Sequence, residues 1–147
     1  VITDPEAWED VRLGRGRPES RDSLAAMLAA EIGGSDDPEV VLAALRRFRR
    51  RQTLRIAYGD IVAGNRLETV VSQLSHVADC IVAAACRTAL AAVERQRGVP
   101  RGVDGTRATL AVFALGKLGG SELNYSSDID LVFVHSADGR VDGPKPC

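Results

Sequence analysis

GKLGGSELNYSSDIDLVFVH, residues 116–135, sets a glycine-rich turn ahead of two carboxylates that enter an apolar strand. Its flanks define the local structure. Leu110–Leu115 is an apolar run that reads as a buried strand, 116–126 as a turn with room for a short helix, and 129–134 as a second strand. Asp128 and Asp130 stand at the mouth of that second strand. Residues i and i+2 of a strand share a face, with Cα atoms roughly 7 Å apart. Both carboxylates can therefore reach one metal ion, or a pair of ions about 4 Å apart, while Ile129 and Leu131 are expected to face the core. Two acids at a strand end are a weak signal alone, since a solvated turn has the same composition. The glycine turn twelve residues upstream of Asp128 strengthens it, and the layout is that of a metal-dependent nucleotidyl-transfer site.

The chemistry accounts for each part. Moving a nucleotidyl group brings an anionic acceptor onto a polyphosphate, and a divalent cation held by oxygen ligands offsets the charge that develops. Glycines at Gly116, Gly119 and Gly120 let backbone N–H groups approach phosphate with no Cβ in the way, and Lys117 adds a point positive charge. A tight strand-to-helix turn with no ligand would use the same glycines; the carboxylate pair that follows favours the functional reading. A Walker A loop fails, because it needs glycine where Ala111 stands and a hydroxyl where Leu118 follows Lys117. The dinucleotide fingerprint GxGxxG fails at Leu118 as well.

Residues 116–131 resemble the signature of the bacterial glutamine synthetase adenylyltransferase and adenylyl-removing enzyme family, within the DNA polymerase β-like nucleotidyltransferase superfamily. The superfamily pattern is an apolar strand, Gly-Ser, a helix, then Asp-x-Asp on the next strand. Gly116 matches its glycine; Lys117 departs from the serine of many members, in agreement with this particular family. Upstream, LRRFRRRQTLRIAYGDI at 45–61 is similar to the helical segment that precedes the catalytic core, so the resemblance covers residues 39–135. It implies an α+β fold: a helical scaffold followed by the first strands of a polymerase β-like nucleotidyltransferase domain. It further implies that Asp128 and Asp130 are catalytic and bind Mg²⁺, and that Gly116, Lys117, Gly119, Gly120 and Ser127 contact nucleotide or phosphate. The implied partners are glutamine synthetase, ATP or ADP with phosphate, and a PII signalling protein.

Enzymes of that family carry two such domains. The C-terminal one adenylylates a tyrosine of glutamine synthetase from ATP; the N-terminal one removes the group by phosphorolysis, releasing ADP. LNYSSDIDL is closer to the removing domain. The alternatives are another polymerase β-like transferase, acting on a small molecule or an RNA end, and a non-catalytic helical interaction module. A third carboxylate from a later strand belongs to the superfamily site. Asp138 and Asp142, in a Gly/Pro-rich tail, are poor candidates for it, so the chain is expected to be a fragment of a larger enzyme.

Composition sets outer limits. At 147 residues with net charge -1, the chain is one ordinary domain or a piece of something larger. With 45% hydrophobic but only 4% aromatic residues, its core must be built from Ala, Val, Leu and Ile. The near-neutral balance offers no general field for nucleic acid, no stretch is expected to approach the roughly 20 apolar residues of a membrane span, and no signal peptide is visible, which makes the cytoplasm the expected compartment. Three cysteines, an odd number, argue against a disulfide framework. Cys80 and Cys86 point about 120° apart on a helix, and Cys147 is the last residue. His76 and Cys80 at i and i+4 suit a metal in geometry, yet no further ligand accompanies them; they read as polar-face residues.

The chain divides into five stretches. Residues 1–37 form an N-terminal helical segment: a short piece around Trp8, a basic link over 12–21, and a helix over 23–32 closed by Gly33 and Gly34. Residues 38–97 form a helical scaffold. Pro38 opens its first helix, whose stripe of Val41, Ala44, Leu45 and Phe48 runs on into Gln52 and Arg55, so the core-facing side is expected to shift toward Leu54, Ala57 and Ile61. Arg55, on the apolar face, is expected to pair with a carboxylate or pack through its stem. The second scaffold helix begins near Arg66, carries Val70, Val71, Leu74, Ala78, Ile81 and Val82 on one face, and would span about 45 Å. Residues 98–107 read as a flexible linker, 108–138 as the start of the nucleotidyltransferase core, and 139–147 as a tail. The run RRFRRR at 46–51 either faces a phosphate-rich ligand or acidic partner or is a solvated helix face broken by Phe48; the solvated face is the preferred reading.

Overall fold

Capping residues start each of the first two helices. The Ser20 hydroxyl accepts from the Ser23 N–H at 3.1 Å and opens α1, Arg21–Ile32, which Gly33 closes in the left-handed conformation. The Asp37 carboxylate accepts from the Glu39 N–H at 2.9 Å and opens α2, Pro38–Ile61, with proline in the first turn. A third helix, α3, runs from Leu67 to Arg97. The computed structural model describes residues 8, 9 and 13–143; Arg12, at the start of the basic link, and Cys147 lie outside them.

The three helices pack on one another around Leu24 and Leu28 of α1, Val41, Leu45, Phe48 and Ile56 of α2, and Val70, Leu74 and Val77 of α3. Phe48 and Leu24 are essentially inaccessible, and each such side chain contributes about 1.5–3 kcal/mol on burial. The core-facing side of α2 does not shift as expected. Its stripe continues straight through Gln52 and Ile56, while Ile61 is 82% exposed. Polar residues are tolerated there because they satisfy one another: Arg55 donates to Gln52 Oε1 at 2.7 Å, to Gln73 Oε1 at 2.8 Å and to the Arg17 carbonyl. Gln73 also brackets Glu19, accepting its N–H and donating to its carbonyl, both at 2.8 Å. The Arg55 partners are thus amide and carbonyl oxygens; burial lowers its pKa, and Glu19 acts against that shift.

α3 corrects another expectation. It is the one helix among the described residues long and apolar enough to cross a membrane by length and composition, with a mean hydropathy of 1.5 over its best 18 residues. Val77, Ile81, Val82, Leu90 and Val93 with the two cysteines and the alanines produce that value, and only 11% of that stretch is buried. The helix nevertheless packs against α1 and α2 and carries buried Gln73 and Ser75 nearer its start.

Two antiparallel strand pairs complete the α+β architecture. β1, Pro100–Gly102, pairs with β4, Gly139–Val141; β2, Leu110–Leu115, pairs with β3, Asp130–His135. The 98–107 stretch is therefore not simply a linker, nor 139–141 simply tail. Asp142 fastens the two, accepting from the Val99 N–H at 2.7 Å and from Arg101 at 2.8 Å. These two bonds, with the Arg101 guanidinium beside it, hold its carboxyl below the usual range. β2 is not the buried strand that its composition suggests: Phe113 is 55% and Phe133 of β3 56% exposed. Among the described residues the ribbon has no third strand, and only Ala114 and Leu131 pack against the helical core. Ile129 precedes β3 and is exposed as well.

Candidate active site

Strand register builds the site. Leu115 pairs with Asp130 at the end of the β2–β3 ribbon, so the residue that follows Leu115 must lie beside the Asp130 carboxylate. That residue is Gly116, at φ +55°, where a Cβ would stand 3.3 Å from Asp130 Oδ2. A single turn of helix, α4 (Gly116–Gly119), then folds back on β2. Gly119 is needed for a different reason: its missing Cβ would lie 2.5 Å from the Ala114 carbonyl oxygen. The turn is closed by N–H donation from Gly120 to the Gly116 carbonyl at 3.0 Å and from Glu122 to the Lys117 carbonyl at 2.7 Å. Leu118 is buried in the core and leaves the Lys117 side chain on the exposed side.

The loop that carries Asp128 is anchored to the helices at two points. Leu123, itself buried, donates its N–H to Ser75 Oγ at 3.1 Å, and Ser75 donates to the Val71 carbonyl at 2.8 Å. Tyr125 donates its hydroxyl to Asp60 Oδ2 at 3.1 Å, and its pKa is pushed up to about 12 by burial and by that bond to an acid. Between these anchors and the carboxylates, Asn124 Oδ1 accepts from the Ser127 hydroxyl at 2.6 Å and from the Ser126 N–H at 3.2 Å. The Ser127 hydroxyl thus shapes the loop.

Asp128 and Asp130 are both exposed, and among the described residues neither carboxylate has a hydrogen-bond or ion-pair partner. Asp128 lies in the loop one residue outside the sequence-predicted strand and two before the observed one; Asp130 is the first residue of β3. Asp128 and Ser127 border a cleft of about 270 Å³ between α2, α3 and the loop, floored by Leu74, Val77 and Ile81 and flanked by Arg49, Thr53 and Tyr125. A larger cavity of about 670 Å³ lies at the opposite end of the ribbon, by Leu110 and His135, away from the carboxylates. No group of three or more His, Cys, Asp or Glu side chains able to hold a metal occurs among the described residues. His76 and Cys80 take no part in the site; Cys80 lies against the Arg21 carbonyl and His76 near Ser72.

Sequence reasoning missed Ser75, Asp60 and Tyr125. A serine between Leu74 and Val77 on an apolar helix face was a legible irregularity, but nothing local pointed to its partner. Asp60 and Tyr125 carry no such mark.

The family model for glutamate-ammonia ligase adenylyltransferase matches residues 4–146. The bifunctional glutamine synthetase adenylyltransferase/adenylyl-removing enzyme of Thioalkalivibrio sulfidiphilus (strain HL-EbGR7) is 34% identical over 130 residues, covering 88% of this chain and 13% of the relative. Its counterpart in Shewanella loihica (strain ATCC BAA-1088 / PV-4) is 37% identical over 126 residues, covering 86% of this chain and 13% of the relative. The chain thus spans 13% of the length of these curated relatives.

Proposed function

The chain belongs to the glutamate-ammonia ligase adenylyltransferase family, and from that premise we propose that it carries the Mg²⁺-binding carboxylates of an adenylyl-removing site acting on a tyrosine of glutamine synthetase. The observation that carries the reading is two exposed, unpartnered carboxylates two residues apart, Asp130 beside Gly116 and Asp128 in the loop just before it. The donor set fits the ion, since Mg²⁺ is commonly held by one or two carboxylates plus substrate phosphates and water. When bound, it would neutralise charge on the reacting phosphates.

The remaining work falls to residues of this chain. Gly116 keeps space open beside Asp130, the start of the turn would face a phosphate while Gly119 and Gly120 let it close tightly on itself and on β2, and Lys117 adds an exposed positive charge. Ser75 and Tyr125 hold the Asp128 loop in place. In the reaction a hydrogen phosphate oxygen forms a bond to the adenylyl phosphorus while the bond from that phosphorus to the tyrosine oxygen breaks. The proton of hydrogen phosphate passes to the tyrosine oxygen, and the products are ADP and unmodified tyrosine. If the site runs toward addition, the tyrosine oxygen instead forms a bond to the α-phosphorus of ATP while the bond from that phosphorus to the bridging oxygen breaks, pyrophosphate leaves, and the tyrosine proton passes to solvent or to the leaving group. On the same reading a PII signalling protein is a regulator and the cytoplasm the compartment.

The test uses a polypeptide of the relatives' length that contains this chain, with adenylylated glutamine synthetase, Mg²⁺ and phosphate, assayed for ADP. Asp128→Asn and Asp130→Asn should each lower ADP release by about a hundredfold or more with helicity retained. Rates near wild type in both variants would remove the pair from the mechanism. Loss of ATP-dependent adenylylation with ADP release intact would reverse the assigned direction.

A further inference from the structure

Arg46, Arg49 and Arg50 stand at i, i+3 and i+4 on α2, the spacing that places side chains on one helix face. With Thr53, Leu54 and Tyr125 they line a surface groove of about 560 Å³. Arg49, Thr53 and Tyr125 also border the cleft that holds Ser127 and Asp128, so the groove and the cleft meet along these three residues. Other arginines of this helix are engaged: Arg47 pairs with Glu31 at 3.2 Å, and Arg55 bonds Gln52 and Gln73. Among the described residues Arg46, Arg49 and Arg50 have no hydrogen-bond or ion-pair partner. Like charges at this spacing repel one another and destabilise a helix. Among the described residues no acid forms an ion pair with these three arginines, and the carboxylate that shares a cavity with one of them is Asp128, across the cleft from Arg49.

We propose that this face is a phosphate-binding subsite, in which the guanidinium groups of Arg46, Arg49 and Arg50 hold the oxygens of a phosphate group that enters the Asp128 cleft. Arginine is suited to the role because its planar fork of donors matches phosphate oxygens in pairs and stays charged at any working pH. A cleft of about 270 Å³ is on the scale of a small ligand rather than a macromolecular surface. The phosphate is either inorganic phosphate or that of an adenine nucleotide. The subsite stands on the three arginines; its assignment to a reacting phosphate rests on the nucleotidyl-transfer reading above.

The experiment measures binding of inorganic phosphate and, separately, of AMP to the purified chain by calorimetry in metal-free, low-salt buffer. Circular dichroism monitors the fold. The triple variant Arg46→Gln/Arg49→Gln/Arg50→Gln should weaken binding by about tenfold or more, and wild-type affinity should fall as salt rises. Arg47→Gln, whose side chain borders neither cavity, should stay within about twofold. If the triple variant fails to fold, Arg49→Gln alone, at the junction of groove and cleft, carries the test with a loss of about threefold or more. Arginine-dependent binding of phosphate alone identifies inorganic phosphate as the source, and of AMP alone the nucleotide; either supports the subsite. No binding of either ligand to wild type, or unchanged binding in the triple variant, overturns it. Those results leave the nucleotidyl-transfer reading intact if Asp128→Asn still abolishes ADP release, whereas arginine-dependent binding together with ADP release unchanged by Asp128→Asn and Asp130→Asn would overturn that reading alone.

Discussion

Ser75 Oγ receives the Leu123 N–H at 3.1 Å from a position 48 residues away in the chain. Because Ser75 is fully buried and also bonds the Val71 carbonyl, one hydroxyl joins the first third of α3 to the start of the loop that carries Asp128. The helices thereby set the height of the loop. Leu118 and Leu123 enter the same core on either side of the turn, so the glycine turn and the carboxylate loop are seated on one apolar surface.

Replacing Ser75 by alanine leaves the Leu123 N–H without its acceptor. The expected cost is about 1–3 kcal/mol, read by urea unfolding, and amide exchange at 123 should quicken more than at Leu28 in α1. Equal protection at Leu123 in both proteins would show that the bond does not hold the loop.

Alanine at the two structured glycines should separate conformational from steric need. Gly116→Ala meets a left-handed φ and a carboxylate oxygen at 3.3 Å, for about 1–3 kcal/mol of destabilisation. Gly119→Ala places a methyl 2.5 Å from a backbone oxygen, which only movement of β2 or the turn can relieve. Thermal melts should therefore rank Gly119→Ala below Gly116→Ala in stability, and the reverse order would refute the steric argument.

Lys117 tests the phosphate side of the turn. Lys117→Ala should weaken nucleotide binding most at low ionic strength, with the difference shrinking as salt is added. Lys117→Arg should restore only part of it, since a planar fork replaces a compact charge. Titration of both variants with a nucleotide checks this, and unchanged affinity in both would make Lys117 an ordinary exposed turn residue.

Tyr125 provides a pH signature of loop docking. In a Tyr58→Phe background, ultraviolet titration should show Tyr125 ionising near 12. Asp60→Asn should lower that value without bringing it fully to the ordinary 10, because burial is the larger cause and the acid the smaller. The raised value favours the protonated form in the folded state. Its contribution to stability is complete below pH 10 and is lost as pH rises through about 12. A value of 10 in the parent protein would mean that Tyr125 is not docked on Asp60.

The sequence by itself determined the three helices and the two-residue spacing of Asp128 and Asp130. Pro38 and Gly33 act within one helical turn, and the stripe from Val41 to Phe48 repeats every few residues, so such signals survive without any knowledge of the fold; the Ser20 and Asp37 caps came from the structure, which starts α1 at Arg21 rather than at Ser23. The GKLGG turn and the Asp128–Ile129–Asp130 spacing are equally local, and the family resemblance rests on them. Tertiary structure alone decided how these parts meet. The Tyr125–Asp60 bond spans 65 residues and Ser75–Leu123 spans 48, and β1 finds β4 across the whole ribbon. Arg55 and Gln52 lie on the core side of α2 because distant Gln73 and Arg17 satisfy them, which a helical-period reading of α2 has no means to supply. The apolar faces of β2 and β3 remain exposed for the converse reason: composition states what a strand can bury, and only packing partners decide whether it does.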